Sequence, residues 1–176
     1  LGALSTAALA ALTTAGVALL SGEVVGLNTR QIAALTTAQA AVLTSYSADV
    51  LTSTQLAALE STDAAVLTTL VVDQLDSVQL GALSTAALAA LTTAGVALLS
   101  GEVVGLNTRQ IAALTTAQAA VLTSYSADVL TSTQLAALES TDAAVLTTLV
   151  VDQLDSVQLG ALSTAALAAL TTAGVA

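Results

Sequence analysis

The chain has 176 residues, with 12 Asp or Glu, two basic residues (Arg30 and Arg109) and no His, Cys, Met, Pro, Trp or Phe. Without His, Cys or Lys the common general bases, the thiolate ligands and the Schiff-base nucleophile are absent, so no enzyme, cofactor, catalytic residue or metal-binding residue is expected. A net charge of -10 leaves no basic patch for nucleic acid or an anionic lipid surface, and a composition 56% hydrophobic but 1% aromatic requires a core of Leu, Ala and Val.

The sequence repeats. Leu1-Gly2-Ala3-Leu4 recurs as Leu80-Gly81-Ala82-Leu83 and as Leu159-Gly160-Ala161-Leu162, so the pattern restarts at Leu80 and again at Leu159. The chain is therefore one tandem array: copy one over 1–79, copy two over 80–158 and a partial third copy over 159–176. Each copy contains ten shorter units, which in the first begin at Leu4, Leu12, Leu20, Leu27, Leu35, Leu43, Leu51, Leu59, Leu67 and Leu75. All are octads except Leu20 to Gly26, which is one residue shorter.

In chain order, the residue after each leucine is Ser5, Thr13, Ser21, Asn28, Thr36, Thr44, Thr52, Glu60, Thr68 and Asp76, all but Glu60 being favoured helix N-caps. Asn28 with Gln31, Thr36 with Gln39, Thr52 with Gln55 and Asp76 with Gln79 have the spacing of a capping box, in which each side chain satisfies the other residue's backbone N–H. The leucine before the cap and the sixth residue of the unit, as in Leu27 with Ile32 and Leu51 with Leu56, have the spacing of a hydrophobic staple. Each unit predicts one short helix of about six residues, roughly 9 Å long. Such a helix is marginal alone, so the expected fold is all-α: a solenoid or superhelix of short capped helices, burying the first, sixth and eighth positions. The small seventh residues Ala10, Ala33, Ala41 and Ala57 are expected to let neighbouring backbones approach.

Two other folds compete. In one continuous long helix, an octad turns through about 800°, so the leucine drifts round every face and the caps lose their purpose. In a β-solenoid the first and sixth positions point to opposite faces, and richness in Ala and Leu disfavours strands.

The sparse residues narrow the function. The unit Leu20-Ser21-Gly22-Glu23-Val24-Val25-Gly26 reads as a corner correcting the superhelical phase, with a ligand loop as the alternative. The acids Glu23, Asp49, Glu60, Asp63, Asp73 and Asp76 lack the dense spacing of a calcium loop, so calcium is not expected. Asp76 is accounted for by capping and Asp63 by the positive end of a helix dipole. Arg30 and Tyr46 fall at fourth positions on the polar face, and repetition is expected to turn each into a row. The uncharged stretch 77–101 contains Leu80 to Leu99, long enough for a bilayer, but its Ser and Thr octad and its lack of flanking Lys, Arg or aromatic belts argue against membrane insertion. No signal peptide is visible. Leu1 falls at a sixth position and Ala176 at a seventh, with no charge after Asp155, so stacking faces at both ends are expected to self-associate into a polymer or filament.

Leu35-Thr36-Thr37-Ala38-Gln39-Ala40-Ala41-Val42 and Leu27-Asn28-Thr29-Arg30-Gln31-Ile32-Ala33-Ala34 resemble the Leu-Thr-Thr-Ala-Gln-Ile/Val-Ala-Ala tandem arrays of very large bacterial secreted or surface proteins, some of them adhesin-like. Gly16, Ser47 and Val71 depart from that pattern where it has Gln. The resemblance implies an extracellular or cell-surface location and a filament, stalk or spacer role. The alternative is a repetitive Thr-rich surface, with pairs such as Thr13-Thr14, Thr36-Thr37 and Thr68-Thr69, that binds ice or polysaccharide.

Overall fold

The computed structural model describes residues 1–173, so the last residues of the partial third copy lie outside the described part. Each unit is a short helix and, except at the entries to the two 3-10 segments, is followed by an extended corner. The corner consists of the leucine and the cap: Leu27 has φ -79° and ψ 139°, Asn28 φ -83° and ψ 169°, Leu51 φ -66° and ψ 129°, and Thr52 φ -77° and ψ 155°. The helix ends because its last amides tighten to i→i-3 bonds, as in Ala34 N–H to the Gln31 carbonyl and Leu35 N–H to the Ile32 carbonyl. The next cap then starts a new helix. Neither alternative fold survives: repeated extended corners break a continuous helix, and no strand occurs among the described residues.

Every substantial packing pair beyond chain neighbours joins units three apart. The array is therefore a three-sided solenoid that completes a turn with every third unit. One side stacks Thr6–Ala10, Thr29–Ile32, Ser53–Leu56, Ser77–Ala82, Gly101–Gly105, Ser124–Val129 and Thr148–Val151. The second stacks Thr14–Leu20, Thr37–Ala40, Ser61–Ala64, Thr85–Ala90, Thr108–Ile111, Ser132–Ala136 and Ser156–Ala161. The third stacks Ser21–Gly26, Ser45–Val50, Thr69–Val72, Thr93–Val96, Thr116–Ala119, Ser140–Ala143 and Thr164–Ala173.

The prism is filled by the first and sixth positions, including Leu27, Ile32, Leu35, Leu51, Leu56, Leu75 and Leu80, which form one continuous core. The expected staple pairs are part of it. The eighth position is not: Ala34, Val42, Val50 and Ala58 are only half-buried, and Leu19 is 84% exposed. The fifth position takes its place, with Gln31, Gln39, Ser47, Gln55, Asp63 and Val71 all buried. The helices are so short and so tightly ended that the third and fourth positions after the cap face inward, while the eighth position of the unit lies at the rim. The seventh-position alanines Ala10, Ala33 and Ala57 are exposed and Ala41 is half-buried, so their smallness does not serve packing between turns.

The shortened unit is a side of the prism, not a corner. It forms 3-10 helix over Ser21–Gly26 in the first copy and Gly101–Gly105 in the second. A 3-10 helix rises about 2.0 Å per residue against about 1.5 Å for an α-helix, so fewer residues span the same side. Its glycines have no positive φ. Two of them allow close approach between turns, since a Cβ on Gly105 would strike the Ser77 carbonyl and one on Gly22 the Tyr46 ring; across from Gly105, a Cβ on Gly81 in Ser77–Ala82 would strike the Gly105 carbonyl. Ser21, at φ 33°, is the one non-glycine with positive φ among the described residues, and it joins Thr14–Leu20 to the 3-10 segment.

Ten units per copy against three per turn leaves one unit over, so equivalent residues of successive copies lie on successive sides. Tyr46, on Ser45–Val50, belongs to the third side, whereas Tyr125, on Ser124–Val129, belongs to the first. The expectation that repetition makes a row of Arg30 or Tyr46 therefore fails, because copy-specific residues return to the same side only every third copy.

Candidate functional site: the glutamine ladder and the exposed sides

The four capping boxes read from the first copy all form, and Asn107 with Gln110, Thr115 with Gln118, Thr131 with Gln134 and Asp155 with Gln158 repeat them. Asp76 Oδ1 accepts from Gln79 N–H at 2.7 Å, and Gln79 Oε1 accepts from Asp76 N–H at 2.9 Å. Ser21 and Thr68 depart from the expected role. Ser21 lies within the 3-10 segment, and Thr68 sits at a cap without a side-chain bond.

The glutamines have a second function that the capping pattern conceals. While Oε1 completes the box, Nε2 reaches across to the corner of the preceding turn. Gln39 Nε2 donates to the Leu9 and Leu12 carbonyls, each at 2.9 Å; Gln55 Nε2 donates to Val24 at 2.9 Å and Leu27 at 2.7 Å; Gln79 Nε2 donates to Ala48 at 2.8 Å and Leu51 at 2.7 Å. One buried amide thus starts its own helix and ties down the corner below. Ser47 does the same over a shorter reach, its Oγ donating to the Ser21 carbonyl at 3.2 Å. Gln31, Gln55 and Gln79 stand on one side, each separated from the next by a full turn of the solenoid. That even spacing was the signal for three units per turn.

Asp63 lies in the first turn of Ser61–Ala64, where the dipole reading put it, and at this fifth position it is also only 2% exposed. Burial pushes its carboxyl above the ordinary 3.8, a hydrogen bond from Thr37 partly opposes this, and Glu60 adds to the rise. In the second copy, Thr116 Oγ1 donates to Asp142 Oδ1 at 2.8 Å. Among the described residues no buried side-chain N or O lacks a hydrogen-bond partner, and no group of three acids is placed to hold a metal ion.

The outer surface carries the fourth position and, beside the cap, the third. Tyr46 is 59% exposed, and Leu70 and Val78 are also outward. Arg30 is exposed on the first side while Tyr46 is on the third, so they form no shared site. The third position supplies Ser or Thr to almost every unit, so hydroxyls climb each side once per turn. On the second side they include Thr37, Ser61 and Thr85, flanked by the small fourth residues Ala38, Thr62 and Ala86. No helix among the described residues is long and apolar enough to cross a membrane, and the Leu80 to Leu99 stretch is divided by corners at Leu83 and Leu91.

Comparison with protein-family models, curated proteins and solved structures finds no match.

Proposed function

We propose that the array is a structural element that sets length: part of an extracellular filament, stalk or adhesin spacer at a bacterial surface. The observation that carries this reading is that substantial packing joins only chain neighbours and units three apart. Each added copy therefore extends the prism along one axis, adds no second layer, and leaves the interior repeated. With about 8–10 Å between packed helices, three turns and one further side add about 30 Å per copy. The extracellular placement rests on the resemblance to bacterial surface arrays. The structural role also accounts for a surface whose distinctive side chains rotate from side to side between copies.

The test is to make arrays of two, four and six copies and measure their maximum dimension by small-angle X-ray scattering, then to label intact producing cells with an antibody against the Tyr125 segment. Linear growth by that increment for every copy added, together with surface labelling, supports the reading. A dimension that stays nearly constant as copies are added, or epitopes reached only after lysis, overturns it.

A second reading is favoured by one observation: the hydroxyl column of Thr37, Ser61 and Thr85, flanked only by small residues. Such a face suits a flat, regular ligand such as ice or a crystalline polysaccharide. Ice recrystallisation and polysaccharide pull-down with Ser61→Ala and Thr85→Val test it, with Thr37 left intact because its hydroxyl bonds Asp63. Activity lost in the variant favours binding, and no activity in the parent array removes it.

A further inference from the structure

Most polar fifth-position side chains of the array are donors to the turn below; Asp63 and its counterpart Asp142 are the acids at that position. Asp63 lies on Ser61–Ala64, packed between Thr37–Ala40 below and Thr85–Ala90 above. In the register of Gln39 and Gln55, the corner under it presents the Ile32 and Leu35 carbonyls. Its hydrogen bond with Thr37, close in sequence to Leu35, places the carboxyl beside that corner. An ionised carboxylate can only accept there, so it takes the threonine hydroxyl and cannot tie the corner as an amide does. The neighbouring cap is also incomplete: Glu60 occupies the N-cap of Ser61–Ala64, and Glu139 that of Ser140–Ala143, without a side-chain bond. Where units such as Thr36 with Gln39 form a capping box, this unit has a pair of acids.

We propose that Asp63 is a proton-operated latch between successive turns. With a proton, its carboxyl donates its O–H to a corner carbonyl of the preceding turn while its other oxygen still accepts from Thr37. Without it, the corner is released and a charge stays buried. The balance involves one proton taken from solvent and no other reactant. The elements packed against Asp63, Thr37–Ala40 and Thr85–Ala90, carry no charged group. The charge next to the latch on its own unit is Glu60, which favours the protonated form of Asp63 by repulsion.

The direction follows from the raised folded value of Asp63. The cost of its buried charge is fully present above that value, shrinks as pH falls through it, and has gone below 3.8, where the unfolded chain is protonated too. Acidification therefore tightens the turns that Asp63 joins.

The experiment uses the full 176-residue chain. Urea midpoints are measured between pH 7.5 and 4.5 for the parent, for Asp63→Asn, and for the exposed control Asp73→Asn. Asp63→Asn supplies the donor at every pH. It is expected to match the acid-tightened parent and lose that part of the pH response, while the control follows the parent. An unchanged acid response in Asp63→Asn overturns the proposal. Should Asp63→Asn not fold, ¹³C carboxyl titration of the parent decides. Asp63 titrating above Asp73, with the Leu35 or Ile32 carbonyl shift moving at the same midpoint, supports the latch. A midpoint at or below that of the control acid, or carbonyls that do not respond, refutes it.

Discussion

Removing one rung of the glutamine ladder should loosen two turns together. Gln118 is 1% exposed; its Oε1 accepts from Thr115 N–H at 3.0 Å, and its Nε2 donates to Leu88 and Leu91 carbonyls at 2.9 Å each. At about 0.5–1.5 kcal/mol net per bond, losing all three in Gln118→Ala costs about 3 kcal/mol, near a hundredfold in local opening. Gln118→Glu has the same shape and keeps the acceptor for Thr115, but it aims a charged oxygen at two carbonyls. At neutral pH it should therefore cost at least as much as alanine, and it should recover part of the loss when protonated at acid pH. Gln74 is exposed and bonds only its neighbour Asp73 at 3.4 Å, so Gln74→Ala should stay within about 0.5 kcal/mol of the parent. Urea unfolding followed by far-UV circular dichroism gives the global cost, and amide exchange at Thr115 and in the Leu91 corner gives the local one. Equal effects of Gln118→Ala and Gln74→Ala would mean that the ladder decorates the turns without holding them.

Leu51→Ala should cost about 2–5 kcal/mol, because the corner leucine is buried in the core, whereas Thr52→Ala removes the two hydroxyl bonds to Gln55, one accepted from its N–H and one donated to its Oε1, and should cost about 0.5–2 kcal/mol; paired denaturation curves check the order. Gly105→Ala puts a Cβ onto the Ser77 carbonyl and should destabilise by about 1–3 kcal/mol or more. Gly160→Ala meets nothing within 4 Å inside helix Ser156–Ala161 and should be neutral or stabilising by up to about 1 kcal/mol. Melting temperatures of this variant and the parent check it. Acid should tighten the turns that Asp63 joins, and Asp63→Asn should abolish that gain in the same urea series.

The local half of this fold was legible because caps act over a single helical turn. Asn28 with Gln31 or Asp76 with Gln79 announces a helix start wherever the chain later goes, and the structure forms both boxes. The stacking was harder to read, because an octad says nothing about how many helices close a turn. The decisive clue, the even spacing of Gln31, Gln55 and Gln79, lay in the same glutamines but was absorbed by the capping argument. Treating the amide as a cap partner used its oxygen and overlooked its nitrogen, so the fifth position was placed outside the core and the eighth inside. The place of Asp63 in the first turn of its helix was legible, but its burial was not, because a dipole argument says nothing about which way the fifth position faces. The shortened unit misled because glycine suggested a bend, when the need was for backbones to pass closely and for a longer rise per residue.

The odd unit left over in each copy has a mechanical consequence. The 3-10 side replaces α-helix once per copy, on the third side in Ser21–Gly26 and on the first in Gly101–Gly105. Were copies nine or twelve units long, that irregular segment would fall on the same side each time, and small differences in stiffness would accumulate into a bow with a fixed direction. Advancing by one side per copy distributes them about the axis, so the bends cancel over three copies and a long array stays straight on average. Under tension or lateral flow such a rod yields alike in every direction, and its length can change by whole copies without changing where its far end points by more than a third of a turn.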